Sequence, residues 1–148
     1  MEISAMIRVV FLALSSLSCC SGAVTFALRL VVPCGTINAS PPMSLEGATF
    51  CLDQRAIVDE SGVKSAAVTK EQDGPWVRLT LTDEASNRLL AATRKNIGNR
   101  TAVVLNGRVT AVPVVKAPVS NKIPITGPFT ERQANDIAAE FNRQAANH

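Results

Sequence analysis

Few residues in this chain could do covalent or acid/base chemistry. His148 is the single histidine and stands at the last position, so a Ser-His-Asp or Cys-His site would rest on a frayed side chain. Asp59-Glu60 and Asp83-Glu84 are adjacent carboxylate pairs. Sequence neighbours in a strand or helix point apart, whereas an acid/base dyad must converge. The first pair fits a turn and the second fits the negative charge that a helix N-terminus favours. Cys34 and Cys51 have no second ligand cluster beside them, which argues against zinc. The expectation is a non-enzymatic protein that needs no metal and no cofactor.

The other two cysteines, Cys19 and Cys20, fall in a leader-like segment. Arg8 precedes an apolar run, Val9 to Leu14, and small residues follow up to Ser21-Gly22-Ala23. This is the order of a secretory signal and favours cleavage after Ala23. Two alternatives stand beside it. Leu17-Ser18-Cys19 loosely matches a lipoprotein site, with Ser16 where Leu is expected, and would leave Cys19 acylated. Val9 to Leu28 carries no charge and could anchor in a membrane uncleaved. Val24 to Val32, however, alternates as a strand with one apolar face, which a membrane helix would waste. In an oxidising compartment Cys34 and Cys51 would form one disulfide worth about 3 kcal/mol; the alternative is two buried thiols that never meet.

The 148 residues are 47% hydrophobic and 18% charged, enough for one domain with a proper core. Residues 1–23 are assigned to the signal and 24–148 to the domain. The net charge of +3 is mild, the basic residues are scattered along the chain, Trp76 is the sole Trp and Tyr is absent. Nucleic acid is therefore not an expected partner. The potential sequons at Asn38 and Asn99 are read as chance.

Any binding surface must be positioned by the elements around it. Arg100 to Val115 reads as a hairpin, two β-branched runs around the tight turn Asn106-Gly107. Pro113 in its second arm cannot donate to a ladder, so that arm is an edge or is bulged there. Trp76 to Leu81 alternates as a half-buried strand after the turn Gln72 to Pro75. Pro33 to Gly47 reads as one long loop, and Ala48–Leu52, Val63–Glu71 and Lys122–Thr126 as further strands.

Thr82 caps a helix whose stripe is Ala85, Leu89, Leu90, Thr93 and Ile97, with Gly98 as its left-handed stop. Thr130 and Gln133 form a capping box for a last helix with Ala134, Ile137, Ala138, Phe141 and Ala145 inward. The fold class is α+β, a two-layer sandwich of mainly antiparallel sheet with two amphipathic helices on one face.

Three segments carry a family resemblance: VRLTLTDEA at Val77 to Ala85, KNIGNRTAVVLNGRVTAVPVV at Lys95 to Val115, and ITGPFTERQA at Ile125 to Ala134. In this order they resemble the head subdomain of the first periplasmic domain of SecD, a subunit of the bacterial export machinery. Asn106, Gly107, Gly98, Gly127, Phe129 and Thr130 are the structural residues of those motifs. The resemblance implies an exported domain, in the periplasm or at the outer face of the cytoplasmic membrane. It also implies contact with unfolded or nascent secretory polypeptide, or with Sec translocon components. No apolar segment long enough to span a bilayer follows the leader, so the expectation is the binding module without the motor.

The contact residues expected are Val112, Pro113 and Val114 on the edge arm, where a peptide could add as a strand, and Trp76. Phe129 could also anchor a partner but fits better as a staple before the helix cap. The alternative is a periplasmic or lipid-anchored structural or regulatory protein that reuses the fold.

Overall fold

The computed structural model describes residues 23–148. The cleavage, lipidation and anchor readings, Cys19 included, lie outside the described residues. Strand β1 (Phe26–Val32) turns Phe26 and Leu28 into the main core. On one side it pairs along its length with β7 (Thr101–Leu105), from Phe26 opposite Leu105 to Leu30 opposite Thr101. The apolar run TAVVL makes β7 a strand covered on both faces, with Ala102 and Val103 both buried.

β8 (Arg108–Ala111) closes the hairpin on the outer side of β7. The other side of β1 is shared by β4 (Val58–Asp59) and β3 (Ala48–Leu52), and β3 pairs with β2 (Met43–Leu45). A second sheet has the order β5 (Val63–Glu71), β6 (Gly74–Leu81), β9 (Lys122–Ile125).

Every named strand pair is antiparallel, and the two helices are α1 (Asp83–Lys95) and α2 (Glu131–Ala145). The class is α+β as expected, with the strands divided between two sheets. One cluster receives Phe26 and Leu28 from the first sheet, Val77 and Leu79 from the second, Leu89 from α1 and Phe141 from α2. Phe26 and Phe141 meet edge to face, ring centroids 6.2 Å apart. Burial of this shared apolar surface sets the order of the layers.

Several sequence expectations change in the fold. The stretch expected as one loop contains β2, which turns back into β3 at Glu46 and Gly47, both at positive φ (50° and 80°). Glu is not a residue that advertises this turn. The β2–β3 hairpin folds over the outer face of the first sheet, burying Leu52, Ala102 and Val109 against Met43, Leu45 and Phe50. β2 thereby comes beside β8, although no ladder joins them.

The helix stripe also ends early. Ala85, Leu89 and Thr93 are buried, while Ile97 is 49% exposed because α1 stops at Lys95 with Asn96 as its C-cap. Gly98 lies beyond that cap, at φ 87°, and its N–H donates to the Val115 carbonyl at 2.7 Å. It turns the chain into β7 and is not the residue that ends the helix.

Candidate functional site: an open strand edge beside an apolar cleft

Asn106 and Gly107 take the left-handed angles expected of the hairpin turn, φ 50° and 79°. Asn106 adds a tertiary tie: its Oδ1 accepts from the Thr25 N–H at 3.1 Å, and its own N–H donates to the Thr25 carbonyl at 2.9 Å. The second arm is bulged, but at Thr110, where Val109 and Ala111 oppose Val104 and Val103. Pro113 lies past that bulge. Its carbonyl accepts from the Thr101 N–H at 2.9 Å, and the Val115 N–H donates to Asn99 at 2.8 Å.

This pattern fixes the direction of the residues between. Arg100 and Val114 form an antiparallel bridge of the type in which the flanking residues, Pro113 and Val115, hold the hydrogen bonds. Backbone groups alternate in direction along a strand, so Val112 and Val114 aim N–H and C=O away from β7. Among the described residues neither makes a backbone-to-backbone hydrogen bond.

Two other sheet edges are closed in part. Asn142 of α2 bonds both backbone groups of Ala66 on β5, at 2.8 and 2.9 Å. On β9, the Leu81 N–H bonds Asn121, which puts Ile123 and Ile125 in the hydrogen-bonded positions toward β6 and leaves Pro124, opposite Arg78, on the outward side. Proline there offers no donor to a visiting strand. β2 and β8 approach each other.

Beside the open edge lies a cleft of about 440 Å³ between the two sheets. Its floor includes Leu28 and Val103, with Leu89 and Thr93 of α1; its sides include Pro113 and Val114 opposite Ile123 and Pro124. The strap of residues 112–121 frames the opening. The Thr93 hydroxyl fastens it to α1, accepting from the Val119 N–H at 2.9 Å and donating to the Leu89 carbonyl at 2.8 Å. That bond explains a threonine in the buried stripe of a helix.

The carboxylate pairs hold structure. Asp59 Oδ1 accepts from the Ser61 N–H at 3.0 Å and caps the 3₁₀ turn Glu60–Gly62; Glu60 accepts from the Phe26 N–H at 3.1 Å. Asp83 and Glu84 occupy the first turn of α1, where Glu84 pairs with Arg88 at 2.8 Å. Cys34 and Cys51 are joined, with an S–S distance of 2.00 Å and Cα atoms 5.1 Å apart. The bridge ties the chain after β1 to β3.

A family model for the SecDF P1 head subdomain matches residues 37–145 of the chain. The chain belongs to this family. SecD of Aquifex aeolicus is 33% identical over 90 residues, 60% of this chain and 18% of that protein. SecDF of Thermus thermophilus is 35% identical over 102 residues, 68% of this chain and 12% of its own length. This P1 head chain therefore spans less than a fifth of either relative. A structure of SecDF, described as a membrane component that enhances protein export, superposes with a TM-score of 0.64 at 22% identity, covering 81% of this chain and 62% of that one. That likeness carries the fold.

Within this P1 head, Pro113 and Val114 line the cleft, while Val112 sends its side chain into the smaller cluster with Val109. Trp76 is elsewhere. It lies half-buried opposite Thr69, on the face of β6 that alternates away from Val77 and Leu79. Phe129 packs on the main core directly before the Thr130 cap, as a staple does. Its ring covers Gly127, where an added Cβ would stand 2.9 Å from Phe129 Cζ. Thr130 and Gln133 exchange the reciprocal bonds of the capping box, at 2.9 and 3.1 Å.

Sequence reasoning missed Asn142, the cleft, and the hold of Thr93 on the strap, though it placed Thr93 in the buried stripe. Asn142 reads as an ordinary exposed helix residue, and only the arrival of β5 beside it gives it a role. Among the described residues no helix is long and apolar enough to cross a membrane.

Proposed function

We propose that this P1 head binds extended polypeptide as an accessory to Sec-dependent translocation, on the periplasmic side of the cytoplasmic membrane. The visiting segment adds as a strand along Val112–Val114 and lays alternate side chains into the adjoining cleft. The observation that carries this reading is the outward direction of the Val112 and Val114 backbone groups directly beside an apolar cleft. Main-chain bonds supply affinity that is indifferent to sequence, which suits a client in transit. Catalysis is not part of the role.

The test uses backbone amide shifts of the full chain, titrated with an unfolded secretory peptide. Val112 and Val114 should move most. Val114→Pro removes an outward donor while leaving the bonds of Pro113 and Val115 to their partners, and it should abolish binding with little loss of stability. Unchanged binding by that variant sinks the edge-strand mode. In cells, a photoreactive side chain at Val112 should capture translocon subunits or nascent secretory chains.

A further inference from the structure

Between Glu84 and Glu131 the sequence contains seven Arg or Lys residues and no Asp or Glu, although the whole chain has 12 acidic residues. Spread along the chain the basic residues look unremarked, but this segment builds nearly all of one site. Apart from Leu28, every side of the cleft comes from it. Lys116 and Lys122 are the only charged residues of the lining. They stand on the strap and at the start of β9, and among the described residues neither has a carboxylate partner. Arg88, bonded to Glu84, is the one base of the segment in an ion pair among the described residues.

We infer that the cleft selects acidic over basic polypeptide: an extended apolar stretch flanked by carboxylates, which Lys116 and Lys122 receive. This inference rests on the peptide-binding reading above and adds the chemistry of the client. Apolar walls lower the local dielectric, so a field of one sign acts more strongly on a segment entering the cleft than it would over open surface. An aspartate beside the buried stretch is attracted, and a lysine there meets uncompensated like charge. The apolar lining favours a polypeptide over a nucleic acid, which would need stacking aromatics on the basic surface.

The experiment compares three fluorescent peptides with one alternating Val/Ala core, flanked by Asp, Ser or Lys, by anisotropy against the full chain. The Asp form should bind about fivefold more tightly than the Ser form, with the Lys form weakest, as charge pairs to two solvent-exposed lysines allow. The preference should shrink as salt rises. The combined variant Lys116→Gln, Lys122→Gln, checked for an unchanged melting curve, should bind all three with the affinity of the Ser form.

Equal binding of the Asp and Lys forms overturns the charge selection and leaves the peptide site standing. No binding by any of the three overturns both readings together. Vesicles of phosphatidylglycerol that bind through the same two lysines and displace the Asp peptide would replace the polypeptide client with a lipid surface.

Discussion

Asn142 covers Ala66 as a neighbouring strand would: its Nδ2 donates to the Ala66 carbonyl at 2.9 Å and its Oδ1 accepts from the Ala66 N–H at 2.8 Å. One side chain near the end of α2 thereby satisfies both groups that β5 presents there. Free edges invite pairing between chains, and natural sheets block them. The same principle explains why Val112–Val114 stands out.

Replacing Asn142 with Ala should therefore do two things. Loss of two partly exposed hydrogen bonds costs about 1–2 kcal/mol, read from denaturant unfolding. The freed edge of β5 should also promote self-association, measured by light scattering against the parent protein. A variant that is destabilised yet strictly monomeric at high concentration would reduce Asn142 to a helix tether.

The disulfide anchors a part of the molecule outside the main cluster. Cys34 is exposed and Cys51 is buried, and neither belongs to the large core. Closing a loop of 17 residues contributes about 3 kcal/mol in the chain-entropy model. Cys34→Ser combined with Cys51→Ala should lower stability by about that amount and leave peptide binding intact, because the cleft lining includes no residue of the tethered loop and the packing of Met43 and Leu45 near Val112 does not run through the bridge itself. Loss of peptide binding in a folded double variant would show that the β2–β3 hairpin helps to hold the open edge.

Local signals were legible and distant ones were not. The Asn106-Gly107 turn and the Thr130 to Gln133 box are written in adjacent residues and depend on short-range geometry alone. The β2 strand stayed hidden because Glu46 takes the left-handed angle that its tight turn requires, a place more often filled by Asn, Asp or Gly. Val58–Asp59 is a strand of two residues that exists only because β1 offers it an edge. Ile97 has the helical spacing of a core residue, yet the helix ends before it. At the candidate site, Pro113 has its carbonyl facing β7, and the outward groups belong to Val112 and Val114. The aromatic type of Trp76 and its place beside a turn say nothing of the sheet face it occupies.

Gly62 shows how a turn residue can be a packing residue. It is buried at the end of the 3₁₀ turn, its carbonyl accepts from the Thr82 N–H at 2.9 Å, and an added Cβ would lie 2.7 Å from Ala85 Cβ and 3.2 Å from Val58 Cγ1. Its backbone needs no left-handed angle, so the glycine is required by space. Gly62→Ala should destabilise the fold by about 1–3 kcal/mol through overpacking. Pairing it with Ala85→Gly removes the closest contact and should recover part of that loss, beyond the helix penalty of about 1 kcal/mol for the second glycine. Strict additivity of the two changes, measured by chemical denaturation, would refute the contact as the cause.

Thr93 couples the core to the candidate binding edge. Its hydroxyl accepts from the Val119 N–H and donates to the Leu89 carbonyl, so one buried oxygen holds the strap against α1. Thr93→Val keeps the shape and removes the acceptor, leaving the Val119 N–H without its partner. The expected cost is about 1–2 kcal/mol, and it should concentrate in the strap. Amide exchange at Val119 should quicken, while exchange at Phe141 in the main core should follow only the global change. Peptide affinity should fall as well, since a loosened strap no longer presents Val114 and Lys116 in fixed positions. Thr93→Ser restores the oxygen without the methyl and should return Val119 to slow exchange. If Thr93→Ser and Thr93→Val exchange alike at Val119, the strap is held by apolar contact and the hydroxyl has no part in shaping the edge.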